Sequence, residues 1–328
     1  PRLAGKPLNV LAALLERSAP RALLIGKLMR DAGVAAFRTL DVDEPPTPFP
    51  CLAFRTVAAG PREPVDLDAI PTVSQSGTGF VYATVRDYAR AYRTGVTTPE
   101  AVAARVLDAI KAGDAMKPPL RAFIAVRNDD IMAQAEAATR RFKEGQPLGL
   151  FDGVPVAVKD EVDQVPYPTT VGTRFLGKVP AREDSTVVAR LRAAGALLIG
   201  KTNMHEIGIG VTGLNPHHGT PRNPYNPACY TGGSSSGSAA AVAAGICPVA
   251  VGADGGGSIR IPAAFCGVIG LKPTFSRVSE FGAAPLDWSV AHLGPLAATA
   301  ADAALAYAVM AGPDPKDPLS LHQPPLSL

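Results

Sequence analysis

Residues 249–260 read Val249-Ala250-Val251-Gly252-Ala253-Asp254-Gly255-Gly256-Gly257-Ser258-Ile259-Arg260. A short apolar run passes directly into a glycine run that closes on a serine. An apolar run without alternation, too short for a helix, predicts a strand buried on both faces. Two more runs of this kind lie upstream, Val154–Val158 ending at Lys159 and Ala196–Ile199. Helices are predicted between them. Asp184-Ser185 caps one that runs through Val187, Val188 and Leu191 and stops at Gly195, and Ser238–Ala244 is an alanine-rich helix stopped by Gly245. Buried strands alternating with helices predict a mixed, largely parallel α/β sheet covered by helices on both faces. Functional sites in such sheets lie beyond the carboxyl ends of the strands.

Outward from this centre, Thr97-Thr98-Pro99-Glu100 supplies an N-cap, a first-turn proline and an early acid for a helix continued by Val102, Val106 and Ile110. The main domain is placed at 81–328, ending in a helix over Ala298–Ala311 and a proline-rich tail. Residues 1–80 form an extension. Pro45–Pro50 and Pro61–Pro71 read as a wrapped connector. Within the first 40 residues, Leu8, Leu11 and Leu15 share one helical face, and Leu24, Leu28 and Met29 repeat the pattern. Lys6, Arg17, Arg21, Lys27 and Arg30 lie among them. Two readings stand open: a helical pair bracing the domain, or a basic amphipathic element meeting an anionic membrane.

Composition narrows the function. Across 328 residues, 47% hydrophobic and 19% charged is globular and excludes a disordered chain. A net charge of +3 and the lack of a basic stripe with interleaved aromatics give no footprint for nucleic acid. The four cysteines, Cys51, Cys229, Cys247 and Cys266, match no zinc or disulfide spacing and fit a reducing compartment. The histidines contain no HExxH-type pair, so no metal site is expected. No signal peptide is visible, and the apolar stretch Ala239–Ala253, broken by Gly245, Pro248 and Gly252, is no spanning helix.

Chemistry concentrates in two glycine-serine loops, Thr231-Gly232-Gly233-Ser234-Ser235-Ser236-Gly237-Ser238 and Asp254–Arg260. Glycines let backbone N–H groups converge on one point, where they can hold an oxyanion or a phosphate. Taken singly, each loop is equally well a tight turn. Lys159 is a third element. At a strand end it is either a surface cap or a buried amine whose pKa burial lowers, which would make it a general base. Lys201, after another buried strand, is a weaker candidate for that role. Cys266, with no activating base near it in sequence, is assigned to the core, and His217-His218 to a loop rim.

Lys159, the two serine loops, and the stretch Pro262-Ala263-Ala264-Phe265-Cys266-Gly267-Val268-Ile269-Gly270-Leu271-Lys272-Pro273 together resemble the amidase signature serine hydrolases. Ser234 follows Lys159 by 75 positions and Ser258 follows Ser234 by 24, both as in that family. The resemblance covers about Thr97 to Pro315 and implies the amidase signature fold with its C-terminal part absent. It also implies a Ser–cis-Ser–Lys triad: Ser258 as nucleophile, Ser234 as the bridging serine after a cis Gly233–Ser234 peptide, and Lys159 as base. The N–H groups of Gly255, Gly256, Gly257 and Ser258 are implied as the oxyanion hole, with Ser235, Asp254 and Arg260 in support. No metal or organic cofactor is called for.

Met204-His205-Glu206, Gly213-Leu214-Asn215, Thr220-Pro221-Arg222-Asn223-Pro224 and the form Asp254-Gly255-Gly256-Gly257-Ser258 resemble the plant-type fatty acid amide hydrolases. Ser236-Gly237 departs from the Gly-Gly of the common family loop. This branch implies hydrolysis of an N-acylethanolamine or another fatty acid amide to fatty acid and amine. The expected partners are a lipid amide substrate, a membrane surface reached through residues 1–40, a second copy in a homodimer, and no nucleic acid. The expected location is intracellular, peripheral on an endomembrane or the plasma membrane. The competing readings are the glutamine-hydrolysing component of a tRNA amidotransferase, a general small-amide amidase, and an inactive fragment.

Overall fold

The computed structural model describes residues 6–15, 17–31, 66–70, 83–287 and 289–323. The chain divides into two compact units, Pro1–Leu52 and Ala53–Leu328. The proline-rich connector, Cys51 and the expected boundary near residue 80 fall outside or at the edge of the described residues.

The first unit contributes two helices, α1 (Lys6–Leu15) and α2 (Ser18–Asp31), which pack on each other. Leu11, Leu15, Leu24, Leu28 and Met29 are half-buried, while Lys6, Arg17, Arg21, Lys27 and Arg30 are exposed. The exposed side of the pair carries these basic residues together with Val10, Leu14, Leu23 and Ile25, and the side chain of Leu8 lies outside the described residues.

The second unit runs α3 (Val85–Arg93), α4 (Pro99–Ala115), β1 (Phe123–Ala125), α5 (Asn128–Lys143), β2 (Pro155–Lys159), α6 (Thr186–Ala193) and β3 (Leu197–Thr202). It continues with the hairpin β4 (Arg222–Asn223) and β5 (Asn226–Tyr230), then α7 (Ser236–Ala243), β6 (Val249–Ala253) and α8 (Arg260–Phe265). It closes with β7 (Ile269–Gly270), β8 (Leu293–Ala297) and α9 (Ala300–Met310). Helix starts follow their caps: Thr98 Oγ1 accepts from the Ala101 N–H at 3.2 Å, and Ser185 Oγ from Val188 at 3.2 Å. Thr84 and Asp87 form a reciprocal capping box on α3.

The main sheet has the order β1-β3-β2-β6-β8-β7. Its centre, β3-β2-β6, is parallel, and β1, β8 and β7 join antiparallel. Successive side chains on the strands point to opposite faces. Val156, Val158, Leu198, Val249 and Val251 enter one core with residues of α3, α6 and α9. Ala157, Leu197, Ile199 and Ala250 enter the other with residues of α4, α5 and α7.

Helix α7 is sunk into the second face, every residue from Ser236 to Ala243 being buried. Gly237 makes that approach possible: a Cβ there would stand 2.2 Å from the Ala122 carbonyl oxygen and 2.5 Å from the Asn203 nitrogen. The N-terminus of α7 is thereby held against the carboxyl ends of β2, β3 and β6, where the site forms.

Candidate active site

Strands β2 and β6 are parallel neighbours, with Val158 opposite Val251, so Lys159 and, two residues beyond its level, Asp254 emerge at the same end of the sheet. Lys159 is completely buried, and burial pushes the pKa of its amine down, against the opposing pull of Glu161 and Asp254. Its Nζ lies 2.8 Å from Ser234 Oγ and 3.3 Å from the Ala253 carbonyl. The Gly233–Ser234 peptide is cis.

The serine run divides its work residue by residue. Ser234 faces the lysine, and its carbonyl accepts from the His205 N–H at 3.0 Å. Ser235 sews the two loops together. Its hydroxyl donates to Ala253 O at 3.2 Å and accepts from Ala253 N at 3.3 Å, and its own N–H donates to Ser258 O at 3.1 Å. Ser236 Oγ reaches Asn203 O, and Ser238 Oγ reaches both Val251 O and the Thr202 hydroxyl. Hydroxyls can donate and accept at once, which is why a serine run rather than an apolar one fits this seam between backbone segments.

Asp254 is the knot of the second loop. It accepts from the N–H groups of Gly257 at 2.7 Å, Ile259 at 3.0 Å and Arg260 at 3.3 Å. The Arg260 guanidinium adds two bonds, Nε at 3.0 Å and Nη2 at 2.9 Å. Burial alone would raise this carboxyl's pKa; the guanidinium and the three N–H groups outweigh it and hold the pKa at about 2.

Ser258 lines a cleft of about 320 Å³ together with Glu161, Ile209, Val211, Ser234, Gly255, Gly256, Leu286 and Val290. Among the described residues its hydroxyl makes no hydrogen bond, so no bond joins it to Ser234 in this structure. The expected oxyanion donors divide. Gly257 N–H is committed to Asp254, whereas the N–H groups of Gly255, Gly256 and Ser258 meet no acceptor among the described residues. What the arrangement can do chemically is pass a proton from a cleft serine toward a buried amine, with free amides beside the same serine.

The other candidates fall elsewhere. Lys201 is also buried, but Lys159 pairs with Thr202, which turns Lys201 to the opposite face of the sheet. There its Nζ donates to Val162 O at 2.8 Å and to Thr169 Oγ1 at 3.3 Å, and Asp160 stands 3.4 Å away. It braces the loop after β2. Cys266 is a core thiol, pushed up to about 12 by burial. His217 pairs with Glu206 at 2.7 Å, outside the cleft lining. Sequence reading missed Glu161, whose Oε2 lies 3.0 Å from Lys159 Nζ. The only signal was an acid two positions past the lysine. It also missed Val171 and Ile207, two β-branched residues at φ 54° and 58°. They are joined by an Ile207 N–H to Val171 O bond of 3.0 Å that holds the backbone leading to Gly208 and Ile209 at the cleft.

A lysine seated on a serine that follows a cis peptide, beneath a glycine loop carrying a second serine, defines the amidase signature class, and the chain belongs to that family. The family model described as Amidase matches residues 104–327. Among curated relatives, the fatty acid amide hydrolase of Oryza sativa subsp. indica is 48% identical over 248 residues, 75% of this chain and 41% of the relative. That of Arabidopsis thaliana is 41% identical over 345 residues, 99% of this chain and 57% of the relative. A glutamyl-tRNA(Gln) amidotransferase component from Thermosynechococcus vestitus is 45% identical over 209 residues, 64% of this chain and 43% of the relative. The native peptide amidase of Stenotrophomonas maltophilia aligns with TM-score 0.71 and 36% identity, covering 74% of this chain and 51% of that one. The chain thus spans about half the length of the relatives it matches.

Proposed function

We propose that the chain hydrolyses carboxylic amides and that its substrates are fatty acid amides such as N-acylethanolamines. The observation that carries this is the 2.8 Å contact between buried Lys159 and Ser234, at a cleft that Ser258 lines. Neutral Lys159 takes the Ser234 proton while Ser234 takes that of Ser258, and Ser258 Oγ bonds to the amide carbonyl carbon. The carbonyl oxygen becomes an oxyanion facing the free N–H groups of Gly255, Gly256 and Ser258. The C–N bond then breaks as the proton returns through Ser234 to the leaving nitrogen. Water releases the acid from Ser258 by the same relay.

The apolar substrate is supported by the cleft wall. Ile209, Val211, Leu286 and Val290 line it and remain between two-fifths and four-fifths exposed. The polar lining includes Glu161, Asp254 and Asp287 and, among the described residues, no lysine or arginine. A glutamine substrate would bring an α-carboxylate, for which the lining among the described residues offers no cationic partner. Helices α1 and α2, with exposed Arg17, Arg21, Lys27 and Arg30, are proposed as the surface that meets an anionic membrane and the source of a peripheral location. No helix among the described residues is long and apolar enough to cross one.

The test is a long-chain fluorophosphonate. It should attach to Ser258, located by peptide mass, and Ser258→Ala should lose both the label and the hydrolysis of an N-acylethanolamine. Labelling without lipid amide hydrolysis, but with turnover of glutamine or a short amide, would replace the substrate assignment. No labelling would favour an inactive fragment.

A further inference from the structure

Glu161 is the residue that the proton relay leaves unused. Its side chain is only 6% exposed, yet it lines both the cleft and an adjoining cavity of about 230 Å³. Its backbone carbonyl accepts from Ala284 N–H at 2.7 Å, which fixes where the side chain starts. Oε2 stands 3.0 Å from Lys159 Nζ as an ion pair and accepts a hydrogen bond from no other group among the described residues. It therefore has no partner but the lysine, and it favours the charged form of that amine.

The relay needs such a charge. When Lys159 accepts the Ser234 proton, an O–H bond breaks, an N–H bond forms, and a completely buried amine becomes an ammonium. A buried cation without a counter-ion is costly, and the cost falls on the step that creates it. The neighbouring carboxylates are engaged elsewhere. Asp254 is held by Arg260 and three backbone N–H groups. Asp160 is held by Thr170, the Gly172 N–H and Lys201. We propose that Glu161 is a positioning residue for the amide hydrolysis, the counter-charge that receives the Lys159 ammonium each time Ser234 hands its proton over. This rests on the reading of Lys159 as the base.

The electrostatic surroundings bear on the sign of the test. Lys159 is faced by Glu161 and Asp254, and by His205 from the segment after β3, whose charged form burial disfavours. Glu161 is faced in turn by Lys201, by Glu280 and, across the cleft lining, by Asp287. Burial pushes Glu280 up to about 8, so it is largely protonated at pH 7 and adds little competing charge. Removing the Glu161 charge leaves burial dominant at Lys159 and makes its ammonium harder to form.

The experiment is Glu161→Gln, which keeps the shape and removes the charge, with Glu161→Asp as the charge-retaining partner. Lys159 is followed by NMR of the ¹³C-labelled lysine ε-methylene, assigned by its loss in Lys159→Met, alongside kcat/KM on a short amide from pH 5 to 10. Glu161→Gln should move the Lys159 titration and the acid limb of kcat/KM to lower pH and cut the plateau at least tenfold. Glu161→Asp should restore part of both. Identical Lys159 titration in wild type and Glu161→Gln overturns the proposal, even in an active enzyme. A moved titration in a chain that hydrolyses no amide leaves the electrostatic pairing standing and overturns the reading of the site as an amidase instead. Should Glu161→Gln fail to fold, the Glu161→Asp titration decides: a position unchanged from wild type despite the shortened side chain counts against the pairing.

Discussion

Asp254 and Arg260 clasp the two ends of the glycine run, with the carboxylate accepting two guanidinium bonds of 3.0 and 2.9 Å across six residues. The same carboxylate also takes the Gly257 N–H at 2.7 Å. The loop is thus closed into a small ring before any substrate arrives. Closure costs the loop one of its amides and orients the rest, since Gly255, Gly256 and Ser258 are left with N–H groups that have no acceptor among the described residues. Donors preorganised in this way would not have to reorient if negative charge developed beside them.

The first prediction follows from that clasp. Asp254→Asn removes the charge that holds Arg260 and should lower kcat by about 10²–10³, the range seen when oxyanion donors are displaced. It should also change stability with pH. Asp254 has a folded-state pKa of about 2 against an ordinary 3.8, so it stabilises the fold fully above pH 4 and loses that contribution as pH falls toward 2. Wild type should exceed Asp254→Asn by about 2 kcal/mol at pH 7, with the gap closing below pH 3. Chemical denaturation at pH 7 and pH 2.5 measures both. A gap that persists unchanged at pH 2.5 would place the stabilisation in packing rather than in the carboxylate.

Lys159→Ala tests the relay at its buried end. The variant should lose at least 10³-fold in kcat on an amide and markedly less on the matched ester, because an amine leaving group needs the returned proton and an alkoxide needs it less. Equal losses on both substrates would remove Lys159 from leaving-group protonation and leave it a structural role under Ser234.

Much of this was legible beforehand, and the gaps have physical causes. The centre of the sheet could be read because β2, β3 and β6 are buried on both faces and so carry continuous apolar runs. Strand β8 could not: Leu293-Gly294-Pro295-Leu296-Ala297 contains the two residues that argue against a strand, and its pairing with β6 is set by tertiary contact. Strands β1 and β7, with three and two residues, are too short to show a period. Lys159 and Lys201 look alike in sequence, each closing a buried strand. Only the register that pairs Lys159 with Thr202 sends them to opposite faces. Glu161 was invisible for a related reason, since an acid after a lysine is ordinarily a solvated charge.

Glu280 supplies a prediction independent of catalysis. Burial first, then Asp317, Asp287 and Glu161, push its pKa up to about 8. A carboxyl raised from 4.5 binds its proton more tightly in the folded state, so the fold is most favoured below pH 4.5 and loses stability as pH climbs to 8. Glu280→Gln should therefore be close to neutral at pH 5 and stabilising at pH 9 by roughly 1–3 kcal/mol. Thermal unfolding at the two pH values checks it. A variant that destabilises equally at both would mean that the side chain is held by contacts its charge does not govern.

The N-terminal helices yield the last prediction. In α1 and α2 the half-buried Leu11, Leu15, Leu24 and Leu28 account for their pairing, but Leu23, 83% exposed, and Val10, 60% exposed, have no such explanation. Exposed apolar side chains beside Arg17, Arg21 and Lys27 are what an anionic lipid surface can hold. If the helices bring lipid to the enzyme, deleting residues 1–40 should spare a short-chain amide and penalise a long-chain one. Each buried CH₂ contributes about 0.8 kcal/mol only while the chain has an apolar path to follow. The intact protein should also bind anionic vesicles and be released by salt, since exposed charge attraction is screened over about 10 Å at 0.1 M. Leu23→Glu should weaken vesicle binding without touching short-amide turnover. Deletion that lowers turnover of all chain lengths alike, with no vesicle binding by the intact protein, would reject the membrane role and leave the helices as a brace.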